Sequence, residues 1–295
     1  MQSRIQPDRK LTVRMGLTLF LLGLLYVAFA AVLVVLLKSV VLIVVILGGL
    51  LFVQYWYSDR ITLAALKGHV VTAEEYPQLH AIVDRLCALA DMPKPKVAVA
   101  ELDVPNAFAT GRNAEHAVVC VTTGIMGILD EKELEGVIAH ELTHVAHRDV
   151  AVITIASFLG VLAGMMMRFA LFSELGRRRD QNTAVILMAT MVVSITVYAL
   201  SFLLIRALSR YRELAADRDG AILTGQPSEL ASALVKLSDR ANRIPRRDLR
   251  TVQAFNAFFI NPVGGSIADV FSTHPKLERR LEQLARISEQ LGRPV

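Results

Sequence analysis

The sequence predicts a predominantly α-helical, membrane-anchored protein with a small β-sheet, and three observations carry that prediction. Four apolar stretches are each 18 to 23 residues long, near the roughly 20 residues a helix needs to cross about 30 Å of hydrocarbon. Amphipathic segments with helical spacing fill much of the remainder. Between them lie only short Val- and Ala-rich runs that read as strands. The 295 residues suit one or two domains. The apolar fraction is 54% and mean hydropathy is +0.46, above the ordinary soluble range.

In chain order, Met15 to Leu37 and Ser39 to Tyr57 come first. Lys38 interrupts them and marks a tight connection, so the pair predicts an N-terminal transmembrane hairpin. Tyr55, Trp56 and Tyr57 close it as interfacial aromatics do. Ala28-Phe29-Ala30 resembles a leader cleavage site, but more apolar sequence follows it instead of a polar mature N-terminus. Arg4, Arg9, Lys10 and Arg14 precede the first stretch against one acid, Asp8, while Arg60 and Lys67 follow the second. The positive-inside bias then places the N-terminus and the chain after Tyr57 in the cytosol.

Residues 58–149 read as the first part of a folded domain. Thr72 and Glu75 have capping-box spacing and are expected to open a helix with Leu79, Ile82, Val83, Leu86 and Ala90 on one face. Asp91-Met92-Pro93 ends it. Val97 to Ala100 and Ala117 to Thr122 predict short strands, with a third around Asn106 to Ala109 and a turn at Gly111-Arg112-Asn113. Asp130 and Glu133 form a second capping pair, opening a helix with Leu134, Val137, Ile138, Leu142 and Val145 on its core face.

The third and fourth apolar stretches, Val150 to Met167 and Thr183 to Ile205, predict a second hydrophobic hairpin inserted in that domain; a buried hairpin of a soluble core is the alternative. Arg177, Arg178 and Arg179 lie between them. If both stretches cross, these arginines face outward against the charge rule, so a re-entrant or in-plane hairpin stays open. Ser228 caps a helix to about Ala241, and His274-Pro275 opens an amphipathic helix through Leu291. The expected division is 1–57, 58–149, 150–207 and 208–295.

Composition excludes some classes. The net charge is +5, with no basic stretch interleaved with aromatics, so nucleic acid is not an expected partner. Cys87 and Cys120 are 33 residues apart, which suits neither a disulfide framework nor a CxxC metal site. No span carries the paired acid and base expected of a transporter.

The chemistry sits in His140-Glu141-Leu142-Thr143-His144, on the helix opened by Asp130. Residues four apart share a helix face, so both imidazoles can reach one Zn²⁺ while Glu141 stands beside it as a proton acceptor. A catalytic zinc needs a third protein ligand. A third histidine six residues past His144 is absent, since that position is Val150. His147 lies on the same straight helix, a poor tetrahedral arrangement, and reads as solvated or supporting. Glu213, in Arg212-Glu213-Leu214-Ala215-Ala216-Asp217, is the better candidate. Asp217 is four residues on, placed to hold the free ring nitrogen of a ligand histidine. The two intervening apolar stretches give two membrane crossings or none, so both motifs fall on one side.

These motifs, with Pro105-Asn106-Ala107-Phe108-Ala109-Thr110-Gly111, Asp149 and Phe271-Ser272-Thr273-His274-Pro275, resemble the HtpX-type membrane zinc metallopeptidases, related to the CAAX prenyl protease group. The resemblance covers about 15 to 285. It implies a gluzincin catalytic domain with one zinc held by His140, His144 and Glu213, and Glu141 as general base. It further implies a multi-pass bacterial inner-membrane protein that clears misfolded or damaged membrane proteins from the cytosolic side. His274 matches a histidine that contacts substrate or the developing oxyanion. Asn106, Ala107, Phe108 and Ala109 match an edge segment that an extended substrate can pair with by β-augmentation. Two rivals remain at this point: a narrow peptidase for prenylated or short peptides, and a non-catalytic scaffold with structural histidines. The sequence is silent on oligomeric state.

Overall fold

The computed structural model describes residues 9–37, 48–49, 52–53, 55–147, 181–243 and 275–292. The elements are α1 (Arg9–Leu37), α2 (Ser58–Ala65), β1 (Gly68–Val70), α3 (Pro77–Ala90), β2 (Lys96–Ala100), β3 (Ala107–Thr110), β4 (Val118–Thr122), α4 (Thr123–Met126), α5 (Glu131–Ala146), α6 (Gln181–Thr224), α7 (Pro227–Arg243) and α8 (Leu277–Gln290). A 3-10 turn, Ala114–His116, precedes β4. The third apolar stretch, most of the second, Asp149, Arg177 to Arg179 and His274 lie outside the described residues. The chain is mostly helical around a small mixed sheet, as the sequence predicts.

Contacts divide the described residues into two compact units. One comprises 9–11, 57–147, 209–243 and 275–292. Its sheet has the order β1-β2-β4-β3. β1 runs antiparallel to β2, β2 parallel to β4, and β3 antiparallel to β4. Side chains alternate across a strand, and the alternation separates two cores here. Val97, Val99, Val119 and Val121 join the apolar faces of α3, α5, α7 and α8. Ala98, Ala100, Val118 and Cys120 face the other way, with Leu66, Val104 and Phe108. Burial on both faces explains why β2 and β4 read as continuous apolar runs. Burial also pushes the thiols up, Cys120 to about 12 and Cys87 to about 11, and both cysteines are free.

Local chemistry sets the element ends. Asp130 accepts from the N–H groups of Lys132 and Glu133, while Glu133 accepts from the Asp130 N–H, so the expected capping box opens α5. Asp91, at φ 53°, ends α3 in the left-handed conformation. Gly111, at φ 131°, turns the chain where any Cβ would strike the His116 carbonyl, which a side chain would not tolerate. Two expected starts are corrected: α7 begins at Pro227, so Ser228 lies within the helix and does not cap it, and Glu75 does accept from the Thr72 N–H at 2.7 Å, but α3 begins at Pro77. Proline is pre-organised for the first helical position, so the Thr72–Glu75 bond closes a turn ahead of the helix. The edge strand β1 was not expected, because three residues with a leading glycine carry no period-2 signal.

The other unit comprises 12–37, 181–208 and the short described segments 48–49, 52–53 and 55–56. α1, within Thr12–Phe29, and α6, from Met191, are long and apolar enough to cross a membrane. Val13, Leu17, Phe20, Leu24 and Val27 of α1 are exposed, an outer surface suited to lipid. In α6, Thr196 and Ser201 donate to the carbonyls of Val192 and Val197. Hydroxyls that bond within their own helix leave no unmet donor in an apolar setting.

Candidate metal centre

The α5 capping box fixes where the helix starts and therefore which residues face inward. His140, Glu141 and His144 are 1%, 6% and 7% exposed. The two imidazoles stand edge to face with centroids 4.9 Å apart, as two rings one helical turn apart do. The site is completed from the C-terminal end of α6, where Glu213 and Asp217 are buried. Gly220 makes that approach possible. A Cβ there would lie 3.0 Å from the His140 N and 3.1 Å from its Cα, so α6 passes against the α5 backbone at the first histidine.

His140 Nε2 lies 3.4 Å from Glu213 Oε2, and His144 Nε2 lies 3.5 Å from Glu213 Oε1. One donor atom from each of the three residues falls within 4.8 Å of the others, the one such set among the described residues. Donors about 2.0–2.1 Å from a tetrahedral Zn²⁺ are roughly 3.3 Å apart, so the carboxylate's spacing from the two imidazoles suits an ion between them. The donor set of two nitrogens and one oxygen leaves a fourth position open, the pattern of catalytic zinc.

Around these groups stands a supporting shell. Asp217 Oδ1 lies 3.0 Å from His140 Nδ1. Arg280 of α8, wholly buried, donates through Nε to Asp217 Oδ2 at 2.7 Å and through Nη2 to Oδ1 at 2.6 Å. Gln283 of the same helix donates to the Leu214 carbonyl at 2.6 Å. Arg212 Nη2 stands 3.5 Å from His144 Nδ1. His147 is not among the three clustered donors; its Nε2 lies 3.3 Å from Asp219 Oδ2.

Burial and neighbours set the charges. Desolvation works against the Asp217 anion, but the Arg280 guanidinium holds its carboxyl below the usual range. Desolvation would depress His140, yet the Asp217 and Glu213 carboxylates raise it overall. Glu141 is raised, first by burial and with a contribution from Glu213, against the pull of the two histidines. A raised carboxyl is better matched to proton transfer near neutral pH.

Glu141 Oε2 accepts the Ala109 N–H at 3.0 Å. The Thr122 N–H donates to the Asn106 carbonyl, and only alternate residues of an antiparallel strand bond to a given neighbour. Ala107 and Ala109 therefore direct their backbone groups away from β4, and the Ala109 N–H is engaged by Glu141. Asn106, Ala107, Phe108 and Ala109 are all buried. The structure thus brings His140, Glu141, His144, Glu213, Asp217 and the edge segment together. Sequence reasoning missed Arg280 and Gly220. Arg280 did leave a signal: it falls on the stripe formed by Leu277, Leu284 and Ile287, where a charge is out of place unless paired.

The chain is similar to known proteins over most of its length. Residues 73–288 match the model of peptidase family M48. "Protease HtpX homolog 1" of Streptomyces coelicolor is 65% identical over 296 residues, covering 99% of this chain and 97% of that one. "Protease HtpX homolog" of Moorella thermoacetica is 50% identical, covering 99% of each chain. "Protease HtpX homolog 2" of Methanosarcina acetivorans is 49% identical over 99% of this chain and 100% of its own. Among solved structures, S. mikatae Ste24p superposes with a TM-score of 0.50 at 16% identity, over 94% of this chain and 66% of that chain, a likeness of fold.

Proposed function

The chain belongs to peptidase family M48, a metallopeptidase acting on peptide bonds, and from that premise we propose that it is a membrane-bound zinc endopeptidase that cleaves misfolded or damaged membrane proteins. The observation that carries the reading is the meeting of two imidazoles on one helical turn with a carboxylate from a remote segment, all within 4.8 Å. In this reading His140, His144 and Glu213 hold one zinc ion. When bound, the ion supplies a Lewis acid that lowers the pKa of water towards about 7 and polarises the scissile carbonyl.

The chain's own groups do the rest. The Ala109 N–H fixes Glu141 through Oε2, which leaves Oε1 to take the proton of the attacking water. The same carboxyl then returns the proton to the leaving amine. Asp217 orients the His140 ring. His274 is assigned to the developing oxyanion. An extended substrate is assigned to the segment Asn106 to Ala109, with Ala107 offering the outward backbone groups for β-augmentation. Residues 58–149 and 208–295 form the proposed gluzincin catalytic domain on the cytosolic face, with hydrophobic hairpins at 1–57 and 150–207 in a bacterial inner membrane. The substrate class and location follow from the resemblance to the HtpX-type membrane peptidases.

The test is metal content beside activity. Glu141→Gln is expected to retain one zinc per chain and lose cleavage of an unfolded membrane protein by on the order of 10²–10⁴-fold. Native-rate cleavage by that variant would refute the role of Glu141, and absence of stoichiometric metal from the wild type would refute the zinc site. A prenylated peptide assayed in parallel separates broad proteolysis from narrow processing.

A further inference from the structure

We propose that Arg280 is a positioning residue of the metal centre, acting through Asp217 to hold the His140 imidazole and so making the C-terminal helix α8 part of the site. The inference rests on the reading that His140, His144 and Glu213 bind a metal.

Arg280 occupies the buried stripe of an amphipathic helix and has no exposed surface. A guanidinium there loses its hydration, and only close pairing offsets that loss. The pairing is a planar fork: Nε and Nη2 each take one oxygen of the same carboxylate, at 2.7 and 2.6 Å. Two parallel bonds fix both the position and the plane of the Asp217 carboxylate. The oxygen that accepts from Nη2 is Oδ1, the atom 3.0 Å from His140 Nδ1. Rotation of Asp217 would withdraw it from the ring, and the fork prevents that rotation. Three residues on, one helical turn further, Gln283 bonds to the carbonyl of Leu214. α8 therefore grips α6 at two points, one at Asp217 and one beside Glu213.

Packing alone does not call for this arrangement. A buried ion pair is often no more stabilising than apolar side chains of similar volume. What apolar residues cannot do is direct a carboxylate towards an imidazole nitrogen. An outer-shell partner that orients a ligand histidine is worth about 10–100-fold in metal affinity, and Arg280 supplies the step behind that partner.

The test compares full-length, detergent-solubilised wild type with Arg280→Met, Arg280→Lys, Asp217→Asn and the Asp217→Asn/Arg280→Met double variant. Zinc release to a chromogenic chelator and the visible spectrum of the Co²⁺-loaded protein are read beside thermal unfolding of the metal-free protein. Arg280→Met is expected to release zinc about 10-fold faster or more, with a changed Co²⁺ spectrum. Arg280→Lys should fall between, because one ammonium cannot hold both oxygens in a fixed plane. Adding Arg280→Met to Asp217→Asn should not speed release further. A folded Arg280→Met protein with wild-type release and spectrum would overturn the proposal, as would a double variant that releases much faster than Asp217→Asn. If Arg280→Met does not fold, the comparison of Asp217→Asn with the double variant decides, since the double variant holds neither charge of the pair and the amide introduced by Asp217→Asn still offers Arg280 an oxygen. Wild type without zinc would bring down the metal site itself; wild type with zinc and an insensitive Arg280→Met would bring down this inference alone.

Discussion

α5 and the C-terminal end of α6 each place two functional groups four residues apart, but they are held by different means. α5 is specified from within: its capping box joins residues three apart, and its histidines find each other because 3.6 residues make a turn. The Glu213–Asp217 segment is held from without. Asp217 is gripped by Arg280, 63 residues away, the Leu214 carbonyl by Gln283, and Gly220 lies against the His140 backbone. The difference teaches that the spacing of the histidine half of the site is a property of one helix, whereas the metal-completing half is a property of packing.

The largest expected effect tests whether both halves are needed. His144→Ala and Glu213→Ala should each reduce bound zinc to background, one from each half. Retention of stoichiometric zinc by Glu213→Ala would break the comparison, because the local half would then suffice.

Acid should act through the meeting point of the halves. Metal binding requires a neutral imidazole. Burial opposes a proton on His140, but the carboxylates of Asp217 and Glu213 raise its pKa overall. Zinc affinity should therefore fall as pH drops, beginning above the ordinary imidazole value of about 6.5. Competitive chelation from pH 8 to 5.5 measures this; a midpoint below the ordinary value would contradict the sign.

Gly220→Ala sharpens the contrast further. In an exposed helix this change is favourable by up to about 1 kcal/mol. Here the new methyl meets helical backbone at 3.0 and 3.1 Å, so a loss of about 1–3 kcal/mol is expected, together with faster zinc release, in chemical denaturation and chelator assays. The smallest effect belongs to the local half: Asp130→Ala removes the α5 cap and should cost about 1 kcal/mol of stability. Its zinc release should stay near wild type, because the cap lies more than two turns from His140.

Several parts of the fold were legible because their cause is local. The α5 start at Asp130, the end of α3 at Asp91 and the strands β2 and β4 all follow from side chains a few residues apart or from apolar runs. The Thr72–Glu75 pair shows the limit. Its bond forms as the spacing predicts, yet Pro77 determines where the helix begins. β1, three residues long, has too little pattern to read.

For the site, the sequence by itself determined the inventory: two imidazoles and a carboxylate on one helix, and an acidic pair with the same four-residue spacing on another segment. Only tertiary structure decided that Glu213 comes within 3.4–3.5 Å of both histidines, that the Ala109 N–H engages Glu141, and that a charged residue in the apolar stripe of α8 stands behind Asp217. The physical reason is range. Helical periodicity and capping act over three or four residues and leave a mark in the sequence, whereas a bond across 63 residues depends on how the intervening chain packs.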